Sequence, residues 1–133
     1  MPIALEMVLR LLLAAALGAI IGYQREKAGK QAGMRTHVLI STGAALISLV
    51  SIYGFGAASD PSRVAAGVVV GVGFLGAGVI LHRQGGIVAG LTTAATIWVM
   101  AGIGLAAGAG LYITAAVAAA IVLGVLMMPR GIG

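Results

Sequence analysis

Five runs of predominantly apolar residues, each about as long as the roughly 20 residues a helix needs to cross a bilayer, follow one another along 133 residues with only short connections. No stretch is left over for a separate soluble domain. With 61% apolar and 8% charged residues, the chain has too little polar surface to cover a soluble globule. The expected architecture is all-α: a polytopic membrane helix bundle of about five transmembrane helices forming a single domain over 1–133. Spans are expected at Ile3 to Gly22, Thr36 to Gly56, Arg63 to Leu81, Leu91 to Ala107 and Gly110 to Met128. The first run is too long and too charged at its start for a signal-peptide core, and no Ala-x-Ala-like cleavage site precedes a mature soluble remainder, so it is expected to remain as a helix.

Charge orients these crossings. Arg25, Lys27, Lys30 and Arg35 share the first connection with Glu26, Asp60 and Arg63 flank the second, His82 and Arg83 occupy the third, and Arg130 follows the last run. Lys and Arg in short loops favour the cytoplasmic side, which predicts an outside N-terminus and a cytoplasmic C-terminus. The net charge of +5 lies beside apolar segments without interleaved aromatic residues, so anionic lipid headgroups are the expected partner and nucleic acid is not. Cysteine is absent, which excludes disulfides and thiolate metal sites.

Glycine carries the packing expectations, because lipid supplies no hydrophobic force between helices and close approach at small residues must hold them together. In the third run Gly67, Gly71 and Gly78 share one face while Gly73 and Gly76 point roughly opposite, which predicts a central helix with neighbours on both sides. Gly18-x-x-x-Gly22 and Gly104-x-x-x-Gly108 read first as interior packing. The small-residue faces also suggest a homo-oligomer, a dimer before larger assemblies.

The polar residues inside the runs offer one candidate site and several ordinary roles. Asp60 before Pro61 fits a helix cap better than a cation ligand. Arg10 falls about two turns into the first run and needs a partner or a water-filled cavity. Glu6, four residues earlier, supplies the partner, or else both side chains snorkel to the interface. His37, Ser41, Ser48 and Ser51 form a polar stripe on the second run, and Thr92 and Thr96 a pair on the fourth. Hydroxyls bonding helices together explain both sets, while Glu6, Arg10, His37, Ser41, Thr92 and Thr96 lining one intramembrane polar cavity is the functional alternative. Neither histidine has companions at metal-ligand spacing, and the three acids are well separated. No metal, cofactor or catalytic residue is expected, and the chain does not read as an enzyme.

The run Leu17-Gly18-Ala19-Ile20-Ile21-Gly22-Tyr23-Gln24-Arg25-Glu26 precedes Ala32-Gly33-Met34-Arg35-Thr36-His37, then Asp60-Pro61-Ser62-Arg63-Val64-Ala65-Ala66. With Gly73 to Ile80 and Gly90 to Trp98, these blocks resemble the MgtC/SapB family, in family order over about Glu6 to Gly110. The resemblance implies a multi-pass bacterial inner-membrane protein linked to low-magnesium adaptation and, in pathogens, to survival inside macrophages. Its members have been taken for magnesium transporters and, alternatively, for regulators that bind other membrane proteins, the ATP synthase among them. The family's polar motif residues fall on Glu6, Arg10, Arg25, Glu26, Arg35, Thr36, His37, Asp60, Arg63, Thr92 and Thr93. Gln24 stands where relatives often have an acid, and Gly67 where glutamine is frequent. Many members also carry a cytoplasmic domain after the last helix, and none is expected before Gly133. The resemblance thus implies a non-enzymatic regulator acting through membrane-protein contacts, with a small-ion transporter as the alternative.

Overall fold

The structure, a computed structural model, describes residues 2–56, 58–81 and 90–128. Among the described residues five helices follow in chain order: α1 (Ile3–Lys27), α2 (Met34–Tyr53), α3 (Pro61–Leu81), α4 (Leu91–Gly108) and α5 (Tyr112–Leu126). The first four are long and apolar enough to cross a membrane. At 15 residues α5 is shorter, yet the Tyr112 hydroxyl donates to Glu6 and the Gln24 amide donates to the Leu126 carbonyl. Its two ends therefore meet the two ends of α1, and it traverses the same layer. The polytopic helical membrane bundle expected from the hydropathy pattern is what forms.

The boundaries follow from local chemistry. Gly29 takes a φ of +74° and Gly110 one of +87°, a left-handed conformation that costs glycine little. In each case the following amide reaches back five residues, Lys30 to the Arg25 carbonyl and Leu111 to the Ala106 carbonyl, closing the helix with paired bonds. Gly110 thus ends α4 and cannot open α5, which is why α5 starts two residues later than expected. Asp60 caps α3: its carboxylate accepts from the Ser62 amide at 3.0 Å and the Ser62 hydroxyl at 2.7 Å. Those two donors favour the ionised form and hold the Asp60 carboxyl below its ordinary range, the hydroxyl contributing most.

The first helix runs five residues past Gly22, into what charge alone marks as a loop. Arg25 is therefore helical and buried, not part of an exposed basic loop. His82, Arg83 and Arg130 lie outside the described residues, as does the rest of the third connection.

The expectation of a central α3 is corrected. Among the described residues α4 packs against all four other helices, whereas α3 meets only α2 and α4. Half of the α4 span is buried, against 17% for α3. Replacing hydrogen by a Cβ would meet nothing within 4 Å at Gly67, Gly71, Gly73 or Gly78, and only Gly76 touches a neighbour, the Cβ position lying 3.5 Å from Ala94. Helical periodicity shows which glycines share a face but not whether a neighbour occupies it.

Close packing lies instead along α1, α2 and α4. Added Cβ atoms at Gly18 and Gly104 would collide with Ser41 from opposite sides, and at Gly108 one would sit 2.6 Å from the Ala45 carbonyl. Gly22 is equally tight against Met34 and Gly33. Around these contacts Ala14, Leu17, Ile21, Ala45, Met100, Ile103 and Ala107 form the core, extended by Ala115 and Ala119 of α5. Large apolar side chains such as Leu39, Val70, Phe74 and Ile113 point outward, as a lipid solvent permits.

Candidate functional site

One polar cluster gathers where α4 ends. The Arg10 guanidinium donates to the Gly108 carbonyl at 3.0 Å and to the Glu6 carboxylate at 3.4 Å, and lies 5.7 Å from the centre of the Tyr53 ring. The Tyr112 hydroxyl donates to the same Glu6 oxygen at 3.0 Å. Gly108 is the last residue of α4, where carbonyls lose their helical partners and the helix dipole is negative. Arg10 supplies both a donor and a positive charge there. It is 9% exposed, so Glu6 and Arg10 form a partly buried pair rather than two separately snorkelling side chains. Sequence reasoning paired these two but missed Tyr53 and Tyr112. Their signal was tyrosine at the ends of apolar runs, the interfacial position these rings favour.

Along α2 the serine hydroxyls bond backbone carbonyls. Ser41 donates to the Ala14 carbonyl of α1 at 2.7 Å, Ser48 to Leu105 of α4 at 3.5 Å, and Ser51 to Pro61 of α3 at 3.1 Å. The stripe therefore links α2 to three neighbours. Thr96 donates within its own helix to the Thr92 carbonyl at 2.7 Å.

A second polar cluster lies at the opposite end. Arg25 of α1 donates to the Thr93 hydroxyl of α4 at 2.7 Å, and both residues are buried. His37 is wholly buried, its Nδ1 lying 2.8 Å from the Gly33 carbonyl, which assigns the proton to that nitrogen. Gly22 leaves the space that the His37 side chain occupies. Glu26 accepts from the Met34 amide at 3.4 Å, holding the first connection against α1. Arg35, Thr36 and Arg63 are exposed, and Thr92 is half-buried.

The candidate residues thus do not converge on one cavity. Arg10 sits beside Gly108, while Thr92 lies 16 residues away along α4, roughly 24 Å at 1.5 Å per residue. Ser41 lies between them, fixed to an α1 carbonyl. A helical wheel projects these residues onto one face and hides their separation along the axis.

Three relatives share much of this sequence. "Putative magnesium transporter YhiD" of Escherichia coli (strain K12) is 54% identical over 114 residues, 80% of this chain and 53% of the relative. Protein SrpB of Synechococcus elongatus is 47% identical over 115 residues, 77% of this chain and 63% of its own length. Protein MgtC of Salmonella typhimurium is 47% identical over 116 residues, 87% of this chain and 49% of its own length. The chain spans about half the length of the curated relatives it matches. No solved structure matches. The MgtC family model aligns with residues 11–132, taking in both the Arg25–Thr93 contact and the Gly108 carbonyl that Arg10 caps, and the chain belongs to that family.

Proposed function

We propose that this chain is a non-enzymatic regulator of the bacterial inner membrane that acts by lateral contact between transmembrane helices. The observation that carries this reading is the division of labour among its small residues. Gly18, Gly22, Gly104 and Gly108 are filled by neighbouring helices, whereas Gly73 of α3 lies open beside exposed Ala66, Val70 and Ala77. At spacings of four, three and four residues these make one lipid-facing stripe that admits close approach of another helix. A second copy, giving a homo-oligomer, and other membrane proteins, the ATP synthase among them, are the partners of this reading. Low-magnesium adaptation and intramacrophage survival belong to it as the process it serves.

The alternative is transport of magnesium or another small ion, which the name of the Escherichia coli relative suggests for that protein. The polar groups favour regulation: Ser41, Ser48 and Ser51 are engaged by carbonyls of other helices, and Glu6 is held by Arg10 and Tyr112. A magnesium path requires oxygen ligands free to exchange with water.

Phe74, 81% exposed beside Gly73, offers the test. With a photoreactive phenylalanine analogue at position 74, illumination of intact membranes is expected to give protein adducts that Gly73→Leu removes. The same analogue at Ile121 of α5, also exposed, serves as the control. Identical lipid-only adducts at both positions would sink the reading.

A further inference from the structure

The first four helices are two copies of one hairpin. Leu17-Gly18-Ala19, with Arg25 six residues on, is matched by Leu75-Gly76-Ala77 with Arg83. Ala32-Gly33, then Thr36, Ile40 and Ala44 at steps of three, four and four, is matched by Ala89-Gly90, Thr93, Ile97 and Ala101. The helices keep this register: α1 and α3 each begin 14 residues before the repeated leucine, and α2 and α4 begin directly after Gly33 and Gly90. The same close approach recurs in both hairpins. A Cβ at Gly18 would meet the His37 carbonyl, and one at Gly76 would meet the carbonyl of Ala94, which stands in the place of His37.

Helix contacts follow the same symmetry. Exchanging α1 with α3 and α2 with α4 turns α1–α2 into α3–α4 and α1–α4 into α3–α2; all four interfaces form, α2–α4 lies between the copies, and α1 and α3 do not meet among the described residues. Two parallel repeats related by an axis along the membrane normal give this pattern. The exception is α5, which packs on α1 and α4, while no helix among the described residues takes the symmetric place on α3 and α2. An apolar groove of about 570 Å³ lies there. Its α3 wall of Val64, Gly71 and Leu75 repeats Glu6, Leu13 and Leu17 of α1, where Glu6 bonds Tyr112 of α5 and the two leucines pack in the core that α5 completes. A helix therefore has a counterpart in the other repeat, and a lipid chain has none. Gly71 and Gly43 replace Leu13 and Met100, so an occupant must bring larger side chains than the Ala115 and Ala119 that α5 turns inward.

The outer face of α5 carries such side chains. Ile113, Val117, Ile121 and Val125, each more than half exposed, form one ridge at four-residue spacing. Gly67, Gly71 and Leu75 on α3 and Leu39, Gly43 and Ile47 on α2 are rows of the same spacing, between which that ridge can enter. Direction and height agree as well. With its ends on Glu6 and Gln24, α5 runs parallel to α1 and so to α3, and Val117 and Leu13 each lie about a third of the way between those two contacts. Val117 is thus level with Leu13 and, through the repeat, with Gly71. In that register the partly exposed Glu6 carboxylate on Tyr112 comes to the groove mouth where Arg63 is exposed, opposite charges at one end of the contact.

We propose that the α5 ridge of one copy docks in the α2–α3 groove of a second copy, a head-to-tail contact between identical chains. The repeat puts the seat of α5 and the groove on opposite flanks of the bundle, so each contact leaves a further ridge and a further groove free, and association continues until a ring closes or a row ends. The groove lies on the side of α3 away from Gly73, so this contact stands apart from the Gly73 stripe and its partners.

Because the chain has no cysteine, introduced pairs read this contact directly. Gly71→Cys and Val117→Cys, on differently tagged copies expressed together, are expected to form a mixed disulfide on oxidation of intact membranes, at least fivefold above either variant expressed alone. Gly73→Cys with Val117→Cys, on the other side of α3, should stay at the level of the single variants. One chain carrying both Gly71→Cys and Val117→Cys should give a ladder of multimers. Adding Gly43→Leu, which fills the groove from an open position, should lower the mixed disulfide at least fivefold at an unchanged thermal midpoint, whereas adding Gly73→Leu should leave it. A mixed disulfide no stronger than the Gly73 control would overturn the proposal, as would a yield unmoved by Gly43→Leu. Equal pairing of Gly71→Cys with itself, or a single dimer band from the double variant, would replace the head-to-tail contact by a two-fold one and overturn it too.

Discussion

At the scale of single residues, the expensive group is Arg10, because an arginine away from water needs several bonds to offset its desolvation. It has them in the Gly108 carbonyl, the Glu6 carboxylate and the Tyr53 ring. Arg10→Ala leaves the α4 terminus without its donor and Glu6 without its counter-charge, and is expected to lower stability by about 2–3 kcal/mol in a detergent-unfolding titration. Glu6→Gln keeps an oxygen for Tyr112 and should cost about 1 kcal/mol or less. Equal costs would mean that the pair, not the Gly108 bond, holds Arg10. Asp60 gives a prediction in pH. Its folded-state pKa is depressed, so its contribution is complete above the unfolded value of about 4 and is lost as pH falls through the lower folded one. Protection of the Ser62 to Ala65 amides from exchange should fall over that acid range in the wild type and be low throughout in Asp60→Ala.

At the scale of helices, the same residue type plays two roles that sequence spacing does not separate. Gly104→Val forces a side chain into Ser41 and Ala44, and Gly18→Val forces one from α1 into Ser41, His37 and Val38. Each should cost about 1–3 kcal/mol or more, seen as a lower unfolding midpoint. Gly67→Ala and Gly71→Ala meet open space and should be neutral or slightly stabilising, since alanine has the better helix propensity. A reversed order would return α3 to the centre of the bundle. The existence, number and order of the helices were legible because each is a long apolar run between turn or cap residues. Neighbours were not, because periodicity defines a face but cannot say what covers it. The Arg25–Thr93 bond shows the same limit: 68 positions separate its ends, and charge alone assigned Arg25 to a loop.

At the scale of the whole molecule, the bundle is a tight α1–α2–α4 core joined by hydroxyl–carbonyl bonds, with α3 and α5 on its flanks. The polar candidates read from the sequence divide between its two ends, roughly 24 Å apart along α4. Individual polar residues were legible as unusual in an apolar context; their grouping depended on axial position and on which carbonyl each hydroxyl met. In the proposed reading these groups bind helices to one another and line no path. Flux into proteoliposomes, scanned over magnesium, other cations and common anions, decides between that reading and transport. Flux equal to that of protein-free vesicles, with the reconstituted protein folded, is the predicted result. Protein-dependent flux abolished by Arg10→Ala or Ser41→Ala at retained fold would contradict this and place a conduction path through the bundle.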